Sequence, residues 1–414
     1  MISKEKNKRI MCKENRGITL IALVITTIVL LILAGITIAA LSGNNGILTR
    51  AKEAKEKTEQ AQKDEEKTLS NMENILGIYN FKNINVADTN PGGVVPENSM
   101  VLEDDANKGI VIKDKNNNEW VWVEVPKTTV FSGLTIDTTG TLTEQNYTDI
   151  KNKLITYVRI YINSSVSQNK SDWTDEWYEG CGLTYDEYKA AYQKMLKSIY
   201  TYGGFWIGRY ETGIEGSIDN VSKARTEHTD ITVGTSPKAI SQKDAIPYNY
   251  VYCGEAQALA KEMTPNSNYI SGLMFGVQWN LICKFLEVKS GLTIEKINLD
   301  SSTWGNYSNV TRKVTSERAK QKGVPWTAIT AIKPAVNVLL TAGASDETKQ
   351  MNIYDFAGNE WEWVLEKNSS TSYPCVVKGG SSDNLGYNYP ATCSGNAGMK
   401  DSYDYIGFRT MLCK

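Results

Sequence analysis

Histidine is almost missing from this 414-residue chain, which has one, His228, in the polar stretch "KARTEHTD". A metal centre built on several imidazoles is therefore excluded, a nucleophile–histidine–carboxylate triad is disfavoured, and His228 reads as an exposed loop residue. An excess of charge is missing too. The 45 Lys and Arg against 47 Asp and Glu leave a net −2, with no basic stripe outside the extreme N-terminus, so nothing suggests nucleic-acid binding. The seven cysteines, at positions 12, 181, 253, 283, 375, 393 and 413, never form CxxC, which sets aside a zinc ribbon or a thioredoxin-type motif. Their wide spacing leaves disulfides of an exported protein and free buried thiols both open. Phenylalanine is scarce, 7 against 22 Tyr and 10 Trp. Tyr and Trp suit half-wet surfaces, where a ring is buried and its polar atom stays accessible.

Long apolar runs are confined to the start of the chain. Lys4, Lys6, Lys8, Arg9, Lys13 and Arg16 make a basic leader, and the 24 residues from Ile18 to Leu41 carry no charge. That length spans a bilayer core of about 30 Å, and the leader places everything after Leu41 outside the cell. "RGITLIALVITTIVLLILAG" resembles the prepilin signal of type IV pilins and pseudopilins. The resemblance implies cleavage between Gly17 and Ile18 and possible contacts with pilus subunits. It departs from that pattern at the fifth mature position, Ala22, where most pilins carry glutamate; a tip subunit or a plain membrane anchor fits the departure better than a packed filament subunit. "SGNNG" (Ser42 to Gly46) then breaks the helix. The Ala/Lys/Glu/Gln-rich segment up to residue 80 reads as a solvated helical stalk with opposite charges at three- and four-residue spacing. The expected parts are thus a leader (1–17), a transmembrane helix (18–41), a charged stalk (42–80) and an extracellular domain (90–414).

In that last part, short apolar runs alternate with Gly, Asn, Asp and Ser turns. "GIVIKD" and "EWVWVEVP" predict a strand pair and "GFWIGRYETG" a further strand. Residues 185–200, "EAQALAKEM" and "VQWNLICKFLEVKSG" have helical apolar spacing. Strands and helices without regular alternation predict an α+β domain. Four motifs, in order, then carry a second resemblance. "GGFWIGRYETG", "LMFGVQW", "MNIYDFAGNEWEWVLE" and "VVKGGSS…IGFRTML" are similar to "GGFWIDKYEVT", "LPTEAEW", "LYDMAGNVWEWV" and "RGGSW…GFR" of the formylglycine-generating enzyme (sulfatase-modifying factor) superfamily. The resemblance covers roughly residues 120–414 and implies a C-type-lectin-like fold. It also implies structural Ca²⁺ held through Asp355, Gly358, Glu360 and Glu362, an oxygen-only set suited to that ion. On the residues alone, a carboxylate pair capping local amides is an equal reading.

The enzymes of that superfamily work through two cysteines just after the "GGS" motif, where a thiolate binds copper and activates oxygen. Here those places hold Asn384 and Tyr389, with Cys393 the nearest thiol, and one histidine cannot build the iron site of a related branch. The domain therefore reads as non-catalytic. The 25 residues from Ser381 to Tyr405 contain 14 Asn, Asp, Ser or Tyr, four of them tyrosines, between two apolar runs expected to be buried strands. Tyr supplies large contact area with few rotors and small polar residues adapt their hydrogen bonds, as in antibody paratopes. Position and composition resemble the variable region of lectin-fold target proteins of diversity-generating retroelements. The candidate contacts are Asn384, Tyr387, Asn388, Tyr389, Asn396, Tyr403 and Tyr405, toward a surface ligand, protein or glycan. The expected function is a surface-displayed binding protein or adhesin; a formylglycine-type oxidase and a purely structural pilin subunit are the alternatives.

Overall fold

The structure, a computed structural model, describes residues 20–42, 50–65, 86, 88–162, 175–314, 318–321, 327–328 and 338–414. Gly17 and Ile18, the rest of the leader, Cys12 and residues 66–80 of the stalk lie outside the described residues. The chain divides into two units, Met1–Met72 and Glu73–Lys414.

The described residues of the first unit are helical. Its α1 (Leu20–Ser42) is a 23-residue helix without a charged side chain. Among the described residues no helix is long and apolar enough to cross a membrane. The charged segment forms α2 (residues 50–65), with the pairs Lys52–Glu56 at 4.0 Å and Lys55–Glu59 at 3.7 Å one turn apart on its wet surface.

The second unit mixes strands and helices irregularly. In chain order it contains β1 (Met100–Glu103), β2 (Val111–Lys113), β3 (Glu119–Glu124), α3 (Lys127–Val130), α4 (Glu144–Ile162), α5 (Tyr185–Tyr202), β4 (Gly204–Gly208), β5 (Gly213–Ile214), β6 (Ala239–Ile240), α6 (Cys253–Lys261) and β7 (Ile270–Leu273). There follow α7 (Gly276–Ser290), α8 (Ile294–Asn298), β8 (Arg318–Gln321), β9 (Thr327–Ala328), β10 (Val338–Leu340), β11 (Trp361–Lys367), β12 (Cys375–Lys378), β13 (Ser394–Ala397), β14 (Ile406–Phe408) and β15 (Thr410–Cys413). This is an α+β architecture, as expected. One sheet runs β1-β2-β3-β4-β15-β7 and a second β13-β12-β11-β14, with β11 and β14 parallel. Helices α4, α5 and α7 pack together, and α5 and α7 lie against the first sheet.

Local chemistry explains the elements. The β2–β3 turn closes because the Asp114 carboxylate accepts from the amides of Asn116 (2.8 Å) and Asn118 (2.9 Å) and from Trp120 Nε1 (3.0 Å). Thr184 and Glu187 form a capping box at the start of α5, and Gly203 ends that helix at φ 74°. The tryptophans correct the half-wet expectation. Trp120, Trp122, Trp206, Trp279 and Trp363 are fully buried. Four of them keep their indole N–H satisfied from within; Trp206 donates to Val94 O (3.1 Å) and Trp363 to Val251 O (3.1 Å), for example. The cysteine alternatives resolve as well, since all six described cysteines are buried free thiols.

The run "IGFRTML" is not one strand. It divides at Arg409: β14 pairs with β11 in the second sheet, while β15 lies between β4 and β7 in the first. The chain thus changes sheets at a single buried arginine.

Helix α7 starts on a buried acid. The Asp175 carboxylate accepts from the amides of Gly276 (2.7 Å) and Val277 (3.1 Å), beside the buried Glu366–Lys378 pair (2.9 Å). Burial, reinforced by the Glu366 charge, pushes the Asp175 pKa up to about 7 in spite of those amides. The folded state therefore holds this proton more tightly than the unfolded chain does. The contribution to stability is complete below about pH 4 and is lost as the pH rises through about 7. Thermal melts across that interval should show the wild type losing Tm relative to Asp175→Asn as pH increases; a gap between the two that does not change with pH would refute this.

Candidate ligand-binding face

The segment "DFAGNEWEW" folds as a tight turn entering β11. Asp355, Gly358 and Asn359 take left-handed conformations (φ 55°, 74° and 62°), and a Cβ on Gly358 would stand 2.1 Å from the Asn306 carbonyl oxygen. Only glycine permits that approach. Asn359 anchors the turn: its Oδ1 accepts from Leu340 N (2.9 Å) and Asn306 Nδ2 (2.8 Å), and its Nδ2 donates to buried Glu211.

At three of the four positions expected to hold Ca²⁺, Glu362, Asp355 and Glu360, carboxylate oxygens are otherwise engaged. Both oxygens of Glu362 receive Arg409 N–H groups, at 2.8 to 3.2 Å. The two oxygens of Asp355 accept from Gly343 N (2.7 Å) and Thr348 Oγ1 (2.7 Å), and Glu360 Oε1 accepts from Asn249 Nδ2 (3.0 Å). A guanidinium bonded to Glu362 repels a divalent ion and occupies the lone pairs that ion would need. The donor set as folded does not fit calcium. Its charges instead form a buried cluster in which Arg409 is the cation. Burial, then the charges of Asp355, Glu360 and Glu362, pushes the Glu211 carboxyl well above its ordinary range. Arg409 opposes that rise, and it also donates to the carbonyls of Gly208 (3.0 Å) and Tyr354 (2.8 Å).

Residues 381–405 lie over this turn, and much of their polarity is spent on fixing their own backbone. Ser382 N donates to Asn359 O (2.9 Å), Gly386 N to Asn309 Oδ1 (3.2 Å) and Ala391 N to Ser301 Oγ (3.0 Å). Trp279 Nε1 donates to Ala391 O (2.9 Å). Asn384, expected as a contact residue, is half-buried and serves as a brace. Its Oδ1 accepts from Ser381 N (3.0 Å), and its carbonyl accepts from Ser308 N (2.9 Å) and Oγ (2.8 Å).

Five of the remaining candidates face solvent: Tyr387, Asn388, Tyr389, Asn396 and Tyr403, with the three tyrosines 48%, 41% and 43% exposed. Asn396, on the edge strand β13, accepts from Asn368 Nδ2 (2.7 Å). Trp361 brings several of the others together. Tyr389 packs edge-on to it at 5.8 Å, Trp361 N donates to Tyr405 O (2.9 Å), and Gly395 of β13 passes next to its ring. Tyr405 is half-buried and stacks in parallel on Tyr403 at 5.1 Å. Burial, then Tyr403 and the carboxylates of Asp383, Asp404 and Asp401, raises the Tyr405 phenol to about 12, so its ring stays a neutral hydrogen-bond donor. Tyr250, held at φ 53°, donates its amide to Tyr403 O (3.1 Å) and extends the face to the turn before α6. Trp361 and Tyr250 were not among the sequence candidates, because neither lies in the polar segment that drew attention.

No protein-family model and no curated protein matches the chain. Among solved structures, that of CarF has 13% identity over 51% of this chain and 86% of its own, with a TM-score of 0.32. Treponema denticola variable protein 1 has 14% identity over 51% and 84%, with a TM-score of 0.27. PvdO from Pseudomonas aeruginosa has 15% identity over 51% and 82%, with a TM-score of 0.28. These likenesses are partial and distant, and no family assignment follows from them.

The Arg409–Glu362 pair offers a direct test of what holds the face in place. Arg409→Met leaves Glu362 buried without its counter-charge and should destabilise the domain by about 3–5 kcal/mol in chemical denaturation. Arg409→Met combined with Glu362→Leu should recover most of that loss. A single-variant cost below about 1 kcal/mol would contradict the role given to the pair.

Proposed function

We propose that this protein is a surface-displayed, non-catalytic ligand-binding protein of adhesin type, which binds through the tyrosine-rich face of residues 381–405. The observation that carries the reading is the combination of a backbone pinned by buried hydrogen bonds with tyrosines 387, 389 and 403 exposed on it. Exposed rings with fixed positions lose little entropy on binding, which is what a contact surface requires. The residues at the "GGS"-proximal positions support the non-catalytic part, since neither Asn384 nor Tyr389 can supply a thiolate. The C-type-lectin-like relationship, display through the basic leader and the uncharged helix α1, minor-pilin-like assembly, and diversification of the segment by a retroelement belong to the same reading. They rest on the motifs, the leader and the segment's composition.

Full-length protein applied to glycan and protein arrays should yield a specific ligand. Tyr389→Ala and Tyr403→Ala should each weaken that binding about tenfold or more, with little change in melting temperature. Asn384→Ala should instead lower the melting temperature, because it removes a loop brace. If both tyrosine variants bind as the wild type does, the face is not the contact surface.

A further inference from the structure

His228 is neither exposed nor isolated. It is 18% exposed at its side chain, its ring stacks on Tyr252 at 3.8 Å with the planes 20° apart, and its Nε2 lies 3.1 and 3.0 Å from the two carboxylate oxygens of Glu255. Glu255 is oriented from behind by backbone amides: Ile231 N donates to Oε1 (3.1 Å) and Tyr252 N to Oε2 (2.9 Å). Those amides occupy one lone pair on each oxygen, and the carboxylate presents its remaining acceptor capacity to the imidazole. Asp230 completes the group. One donor atom from each of His228, Asp230 and Glu255 lies within 4.8 Å of the other two, and among the described residues this is the group of that kind. Arg225, in the same loop, donates through Nη2 to the carbonyls of Thr229 (2.7 Å) and Tyr250 (3.0 Å).

We propose that His228, Asp230 and Glu255 bind a divalent cation of the zinc class. One imidazole nitrogen and two carboxylates suit a borderline ion that takes His and Asp/Glu ligands at about 2.0–2.2 Å, with water filling the fourth position. The hard oxygen-only shell of calcium is a poorer match to this donor set. The supporting contacts orient two of the three ligands. The Tyr252 ring sets the plane of the imidazole, and the two backbone amides fix the carboxylate, as outer hydrogen bonds do for carboxylate ligands. A cation here would replace the direct His228–Glu255 contact and pin the loop between β5 and β6 to the first turn of α6. Tyr250, in the turn just before that helix, is bonded to Tyr403, so the ion would stiffen one border of the tyrosine face.

The test uses the full-length chain in detergent, stripped with chelator and titrated with Zn²⁺ by calorimetry and with Co²⁺ by visible absorption. Expected are one equivalent of tight Zn²⁺ binding and a Co²⁺ spectrum without thiolate charge-transfer bands. His228→Ala should abolish the stoichiometric phase, and Asp230→Asn, an exposed position outside the helix cap, should weaken it at least about tenfold. Melting curves of the stripped variants confirm that they are folded. Absence of a stoichiometric phase, thiolate bands in the Co²⁺ spectrum, or a phase unaffected by His228→Ala would each overturn the site. The tyrosine face is tested separately through its own variants, so either reading can fail alone.

Discussion

A buried arginine placed where the chain passes from one sheet to the other is the constraint on which this domain depends. Arg409 follows β14 and precedes β15, and its guanidinium is held by Glu362 on β11 and by carbonyls at Gly208 and Tyr354. A charge of that size in the interior is tolerated only with its donors filled. Its partners come from both sheets and from the turn ahead of β11, so satisfying the arginine fixes these parts against one another. The same requirement explains the surrounding carboxyl groups. Glu211, Asp355, Glu360 and Glu362 are all buried, and one guanidinium with a set of backbone and side-chain amides makes their burial possible.

The face described above is built on this junction. Trp361 starts β11 one residue before Glu362, and Tyr405 comes directly before β14, so the ring on which Tyr389 packs and the ring on which Tyr403 stacks are attached to strands the ion pair holds. The polar residues between β12 and β14 divide into two groups. Ser381, Ser382 and Asn384 spend their bonds inward, while Tyr387, Asn388, Tyr389 and Tyr403 are left outward. Composition makes no distinction between them, since Asn384 and Asn388 are the same residue type in opposite roles.

Much of the architecture was legible from local patterns. The strand pair around residues 111–124, the helices at 185–202, 253–261 and 276–290, and the buried strand at 375–378 follow from periodicity, caps and turn residues close in sequence. Long-range pairing was not legible. "IGFRTML" has the pattern of a single apolar strand, and its division at Arg409 depends on partners up to about 200 residues away. Glu362 looked like an oxygen ligand for the same reason; only the fold shows the arginine that takes both its oxygens. His228 lies in a stretch as polar as any loop, and its contacts, Glu255 and Tyr252, are on a helix start that no local signal links to it. Helix α4 was not read from the sequence, although Ile150, Leu154, Val158 and Tyr161 recur at helical spacing along its buried face.

The position of β15 carries a consequence for biosynthesis. This strand is an interior member of the first sheet, between β4 and β7, yet it follows every other strand in the chain. A ribosome releases β4 and β7 long before the strand that joins them, so until then their facing edges stay unpaired and open to mispairing with other chains. Closure also waits on the tyrosine-rich segment, which is made just before it. A substitution that kept the segment from settling over the turn before β11 would leave this interior strand undocked, and quality control would meet an open sheet.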